Sequence, residues 1–193
     1  MGQDKSLLKI GKISVIEHIL LKLIPLSESI TIVVGENYEM IEDHLLRSAL
    51  NLDNVCFAVN QNAQLGMYSS IRKGCSKVSG NNPVLLQMID QPFVSKNTLQ
   101  TLIKSIDAEH LIFQPSINID GLERIGHPIL FSPDFIKEIS ADNDKGNLRD
   151  LIRKFSHKRK FVPLDDENIL QNINTPQQFE KSLKKIAVDD INH

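Results

Sequence analysis

Cysteine is scarce in this chain: Cys56 and Cys75 are the only two among 193 residues, and they lie far apart. That excludes a disulfide framework and a zinc site of paired cysteines, and it points to a reducing, cytoplasmic setting. Long apolar runs are missing too. None approaches the ~20 residues of a membrane span, and the first residues lack a signal's basic-then-apolar layout, so neither a membrane partner nor export is expected. Nor is there an excess of one charge, with 22 Lys plus Arg against 24 Asp plus Glu. Without a basic stripe there is no footprint for duplex nucleic acid, and the expected ligand is small. No repeat or low-complexity linker interrupts the chain. Its 41% hydrophobic content suits one globular domain over residues 1–193.

What is present is an alternation of strand and helix patterns. Val15, Ile16, Ile19, Leu20 and Leu23 have helical spacing, Ser14 and Glu17 fit a capping box, and Pro25 ends the helix. Ile30 to Val34 reads as a strand buried on both faces, followed by a helix carrying Met40, Ile41, Leu45 and Leu46. Val55 to Val59 predicts a strand, Tyr68 to Val78 a helix, and Pro83 to Ile89 another strand. Ser95 caps a helix through Ile106; Leu111 to Phe113 and Ile129 to Phe131 read as strands separated by a polar, glycine-containing loop. Helices over Phe135–Ile139 and Leu148–Phe155, a strand over Lys160–Val162, and a final helix opened by Thr175-Pro176-x-Gln178 complete the pattern. Repeated strand–helix units predict an α/β fold, a three-layer Rossmann-like and mainly parallel sheet covered on both faces. Ligands bind such sheets beyond the strands' carboxyl ends.

Four polar loops fall at or near those ends: Asn60 to Ser70, Asp90-Gln91-Pro92, Gly126-His127-Pro128, and Asn172 to Pro176. A carboxylate such as Asp90 at the end of an apolar strand is costly unless paired, and a hard cation that also binds phosphates would compensate it. The alternative is a turn-forming aspartate ahead of Pro92. Gly66 followed by Ser69 and Ser70 at a helix start offers exposed N–H groups and close backbone approach, or Ser69 simply caps the helix. His127 has no His or Cys at metal-ligand spacing, which argues against zinc. His18, His44 and His110 read as surface or satisfied, partly buried side chains.

Taken together these segments resemble the molybdopterin cytidylyltransferase-like nucleotidyltransferases. Met1-Gly2-x-x-Lys5 looks like the end of the family's nucleotide loop, Leu65-Gly66-Met67-x-Ser69-Ser70 like its base-side segment, and Asp90-Gln91-Pro92 like its metal-binding loop. Gly126-His127-Pro128 resembles the segment facing the acceptor, Asp144-Lys145-Gly146 the loop that follows, and Asn172-Ile173-Asn174-Thr175-Pro176 the terminal motif with a second metal contact. The resemblance implies the nucleotide-diphospho-sugar transferase type of fold and transfer of a nucleoside monophosphate from CTP or GTP, with the Gly-Met-x-Ser-Ser form leaning toward CMP from CTP, to a phosphorylated acceptor such as molybdopterin. It assigns Lys5 and Asp90 to catalysis, Asn60, Gly66, Ser69 and Ser70 to the nucleotide, Gly126 and His127 to the acceptor, and Asp90 with Asn174 to Mg²⁺. Rival readings are a sugar-phosphate nucleotidyltransferase, disfavoured by the short chain, and a non-catalytic relative. Two departures stand out: Asn172 and Asn174 replace common aspartates, and the family's opening strand and glycine-rich loop do not precede Met1. The natural protein is therefore expected to extend upstream by such a segment, or to fill its place in the sheet from elsewhere.

Overall fold

The computed structural model describes residues 4–36, 38–142 and 146–189, so Met1 and Gly2 of the opening motif, and Asp144 and Lys145, lie outside it. A single 3-10 turn, Lys5–Leu7, begins the described chain, with the Asp4 carboxylate accepting from Ser6 N at 2.8 Å. A two-residue hairpin not expected from sequence follows: β1 (Lys9–Ile10) and β2 (Ile13–Ser14). α1 (Val15–Leu23) opens on the predicted box, in which Ser14 N donates to Glu17 Oε2 at 2.6 Å and Glu17 N to Ser14 Oγ at 3.3 Å. Pro25, which has no N–H to continue the ladder, sits in the 3-10 turn Ile24–Leu26 that ends it.

β3 (Ile30–Val34), α2 (Tyr38–Leu46), β4 (Val55–Val59) and α3 (Met67–Cys75) form the next layer pair, with β3 and β4 parallel from Ile30 opposite Val55 to Val34 opposite Val59. Then come β5 (Val84–Leu86), α4 (Lys96–Lys104), β6 (Ile112–Ile119), β7 (Leu122–Ile125), β8 (Ile129–Phe131), α5 (Pro133–Ala141), α6 (Leu148–Lys154), β9 (Arg159–Pro163) and α7 (Pro176–Asp189). β8 lies antiparallel between β5 and β6, and β9 pairs in parallel with β6. The class is α/β, as expected, with a mixed sheet in which the longer strands pair in parallel and β7 and β8 run against them.

Alternate residues of β5 show the layering. Val84 and Leu86 pack with Phe131, Phe135 and Ile71 on the α3, α5 and α6 face, while Leu85 packs with Val15, Ile19 and Leu99 on the α1 and α4 face. This is the period of two expected of a strand between helical layers.

Several boundaries differ from the sequence reading. In α2 only Ile41 and Leu45 are core, whereas Met40 and Leu46 are exposed, because one stripe of that helix meets β3. α3 stops at Cys75 rather than Val78, and β5 at Leu86 rather than Ile89. β3 is not sealed on both faces: Ile30, Thr31, Ile32 and Val33 are only part-buried. The reason is shared with β5. Among the described residues each has one partner strand, and their other edges line opposite sides of a cleft of about 850 Å³.

Candidate active site

Segments from early, midway and late in the chain meet at one place. Lys5 Nζ donates to Asn174 Oδ1 at 2.9 Å, and Ile173 N donates to the backbone oxygen of Asp90 at 2.8 Å. Asn174 is held by the start of α7, where Asn174 N and Thr175 N donate to Gln178 Oε1 at 2.8 and 3.0 Å and Gln178 N donates to Thr175 Oγ1. This is a reciprocal cap, satisfying donors that a helix start leaves open. Asp90 stands in a turn beyond β5 rather than on the strand, since Gln87 Nε2 donates to the Met88 and Gln91 carbonyls at 2.9 Å and closes the chain on itself.

His127 adjoins this group. Burial pushes its imidazole below the ordinary histidine range, and the charge of Asp90 opposes that shift. Its loop is fixed by backbone: Gly126 N donates to Pro115 O at 2.9 Å and His127 N to Ile169 O at 3.0 Å. Only glycine fits at 126, because a Cβ there would lie 2.3 Å from Ile169 O.

The predicted base-side residues form a second group. Asn60, buried after β4, donates through Nδ2 to Ser69 Oγ at 2.9 Å and Ser70 Oγ at 3.0 Å, and its Oδ1 accepts from Asn62 N. Ser69 Oγ also reaches the carbonyls of Asn62 and Gly66 at 3.0 and 2.8 Å. Asn60 and Ser69 therefore build the loop around Gly66, whose φ of 93° favours glycine. The capping alternative for Ser69 does not hold, since Gly66 occupies the N-cap of α3 and Ser69 lies a turn inside. Ser70 borders the cleft.

Among the described residues no three His, Cys, Asp or Glu side chains gather as a metal cluster. A divalent ion here would rest on Asp90, the Asn174 amide oxygen and phosphates of a ligand, the mixed oxygen set that suits Mg²⁺ or Mn²⁺. Lys5 holds Asn174 Oδ1 in this structure and would have to release it for that purpose.

Sequence reasoning missed residues that hold these loops. Lys22 on α1 donates through Nζ to the carbonyls of Pro92 and of Val94, the latter at 2.8 Å. Asp166 accepts from Ser95 N at 3.0 Å, Thr98 Oγ1 at 2.7 Å and Asn168 N at 3.0 Å, which leaves it committed to structure rather than to a metal. A lysine on an amphipathic helix and an aspartate in a loop carry no sequence signal for such contacts. Gln91 and Gln114 are buried, and among the described residues their Oε1 atoms have no partner; Gln114 follows the apolar run Leu111 to Phe113, which is the signal that was available for it.

A model of MobA-like NTP transferase domains matches residues 1–160. No curated protein matches the sequence. Among solved structures, the chain is similar to a homologue of the Mycobacterium tuberculosis protein Rv0371c from a Mycobacterium species, with a TM-score of 0.79 and 18% identity over 97% of this chain and 90% of that one. It is also similar to Rv0371c of M. tuberculosis in complex with manganese, at TM-score 0.74 and 19% identity over 95% and 93% of the two chains. A third is the 4-diphosphocytidyl-2C-methyl-D-erythritol synthase of Anaerococcus prevotii, at TM-score 0.74 and 14% identity over 94% and 93%. At these identities the structural matches establish the fold.

Proposed function

From the premise that this chain belongs to the MobA-like NTP transferase family, we propose that it moves a nucleoside monophosphate from a nucleoside triphosphate to a phosphorylated acceptor. The observations that support this are the side-chain hydrogen bond from Lys5 to Asn174 and the backbone hydrogen bond from Ile173, beside Asn174, to the carbonyl of Asp90, which draw together segments from early, midway and late in the chain. An ammonium beside oxygen donors for a hard cation is what a triphosphate requires. An acceptor phosphate oxygen bonds to the α-phosphorus while the bond to the β-phosphate oxygen breaks, and the electron pair leaves with pyrophosphate. Lys5 offsets charge on the α-phosphate. Asn60, Gly66, Ser69 and Ser70 shape the base side, and Gly126 and His127 face the acceptor, His127 as a neutral hydrogen-bonding group because burial lowers its proton affinity. A divalent ion held by Asp90 and Asn174 would supply further neutralisation of the phosphates.

The Gly66-Met67-x-Ser69-Ser70 segment favours CTP, and the resemblance of the fold to a diphosphocytidyl-methylerythritol synthase agrees with a cytidine nucleotide. That synthase also removes the objection to a sugar-type acceptor from chain length, since 93% of it is covered by this chain. A polyol phosphate therefore stands beside molybdopterin as acceptor. The test is pyrophosphate release from CTP and GTP with each acceptor in Mg²⁺ or Mn²⁺. Turnover that needs a divalent ion is expected, and Asp90→Asn should lower kcat/KM by roughly 10²-fold or more, as loss of a main electrostatic contact does. Absence of both turnover and nucleotide binding across the panel rejects the reading, and an unaffected Asp90→Asn variant removes Asp90 from it.

A further inference from the structure

The peptide unit that leaves the Asp90 loop is gripped from both sides. The unit joins Val94 to Ser95: its carbonyl accepts from Lys22 Nζ at 2.8 Å and its N–H donates to Asp166 Oδ2 at 3.0 Å. Lys22 also takes the carbonyl of Pro92, two residues earlier. All four residues from Gln91 to Val94 are buried, so these carbonyls have little access to water. A buried carbonyl is normally satisfied by backbone or a neutral side chain, and an ammonium in this place is a costly choice unless it performs a task. Its partners set that task, for it ties helix α1 to the segment that aims Asp90.

Asp166 extends the grip to the other side of the site. Its Oδ1 accepts from Asn168 N and so caps the 3-10 turn Glu167–Leu170, whose Ile169 carbonyl takes the N–H of His127 at 3.0 Å. A continuous path therefore runs from α1 through Lys22, the Val94–Ser95 peptide, Asp166 and Ile169 to His127. We infer that Lys22 and Asp166 are positioning residues, a clamp that fixes the Asp90 loop relative to the His127 loop. The inference deepens the proposed function, because those loops are read there as the phosphate and acceptor sides.

The groups facing the ammonium are His18 on its own helix and Asp166. Burial lowers the Lys22 proton affinity to about 8, with Asp166 opposing that shift, and His18 is itself pushed down to about 4 by burial and by Lys22. At neutral pH the clamp is thus a charged lysine beside a neutral histidine, and its charge is lost as pH rises through about 8.

The test compares the full chain with Lys22→Met, which keeps the stem and removes the donor, with Lys22→Arg, which stays charged in alkali, and with Asp166→Asn. Amide exchange without nucleotide reads the clamp by itself. In Lys22→Met and Asp166→Asn, exchange is expected to quicken at Ser95 and at His127 while the β6 amides keep their protection. Unchanged exchange at both positions overturns the clamp whatever the enzyme does. Turnover reads its consequence: a fall in kcat of about 10²-fold in Lys22→Met with a small change in nucleotide KM, and an alkaline decline near pH 8 that Lys22→Arg lacks. Equal pH profiles for wild type and Lys22→Arg, or a loss confined to thermal stability, overturn the positioning role. The expected exchange differences together with a wild-type protein that shows neither turnover nor nucleotide binding reject the proposed function and leave the clamp standing.

Discussion

At the residue scale the chain places its charges where burial gives them definite properties. His18 packs edge-on against Phe93, with ring centroids 6.1 Å apart, and burial holds its pKa near 4 instead of the ordinary 6.5. Between those values the unfolded chain binds a proton that the folded chain does not, so stability is fully present above pH 6.5 and is lost as pH falls toward 4. His18→Phe should keep the aromatic contact and abolish that part of the acid dependence. Urea unfolding at pH 7, 6 and 5 measures it, and slopes equal to those of wild type would show that His18 does not titrate as argued. Glycine at 126 is a steric requirement of a different kind, since the Ile169 carbonyl occupies the space a side chain would need. Its sequence neighbourhood, Gly-His-Pro, drew attention to the histidine while the constraint fell on the glycine.

At the element scale, the parts that were legible carried complete local signals. The α1 box at Ser14 and Glu17 and the α7 cap at Thr175 and Gln178 appear in the structure with the hydrogen bonds their sequences predict. The β6–β7 hairpin was read instead as a loop. Its signal was present as Asp120-Gly121 between alternating residues, and both adopt positive φ, 53° and 79°, the pairing that lets a two-residue turn follow strand twist. What hid it was β7 itself, whose four residues are all exposed and so carry no core-facing pattern. Because the turn rather than burial specifies this hairpin, Gly121→Val should destabilise it strongly for a surface change, by about 1–2 kcal/mol, whereas Asp120→Asn should be nearly neutral. Chemical denaturation of the two variants checks this, and equal losses would contradict the turn as the determinant. The site divides along the same line. Asp90, Asn174 and His127 stood in recognisable loops, but Lys22 and Asp166 act through long-range contacts to main-chain atoms, which local sequence does not encode.

At the scale of the whole molecule the cleft separates the sheet into unequal parts. Among the described residues β3 pairs on one side with β4 alone; on the other side of the cleft, β6 is flanked by β8 and β9 over Ile112 and Phe113. Helices bridge the two parts from either face, with Ile30 and Leu85 in one cluster beneath α1, so side-chain packing continues where the backbone ladder stops. The strands begin at a common edge, where Asn82 Nδ2 donates to Glu28 Oε2 at 2.9 Å. Within β3 the direction of each N–H then decides its protection. Ile30 N donates to Asn54 O, toward β4, and alternation along the strand points Ile32 and Val34 the same way but Thr31 and Val33 into the cleft. In a protein of these 193 residues alone, Thr31 and Val33 should exchange their amide hydrogens orders of magnitude faster than Ile32 and Val34, and faster than Phe113 in the doubly flanked strand. Amide exchange followed residue by residue by NMR measures this directly. Protection of Thr31 and Val33 equal to that of their neighbours would defeat the prediction, because it requires hydrogen-bond acceptors along the cleft edge of β3 that residues 4–36, 38–142 and 146–189 do not place there.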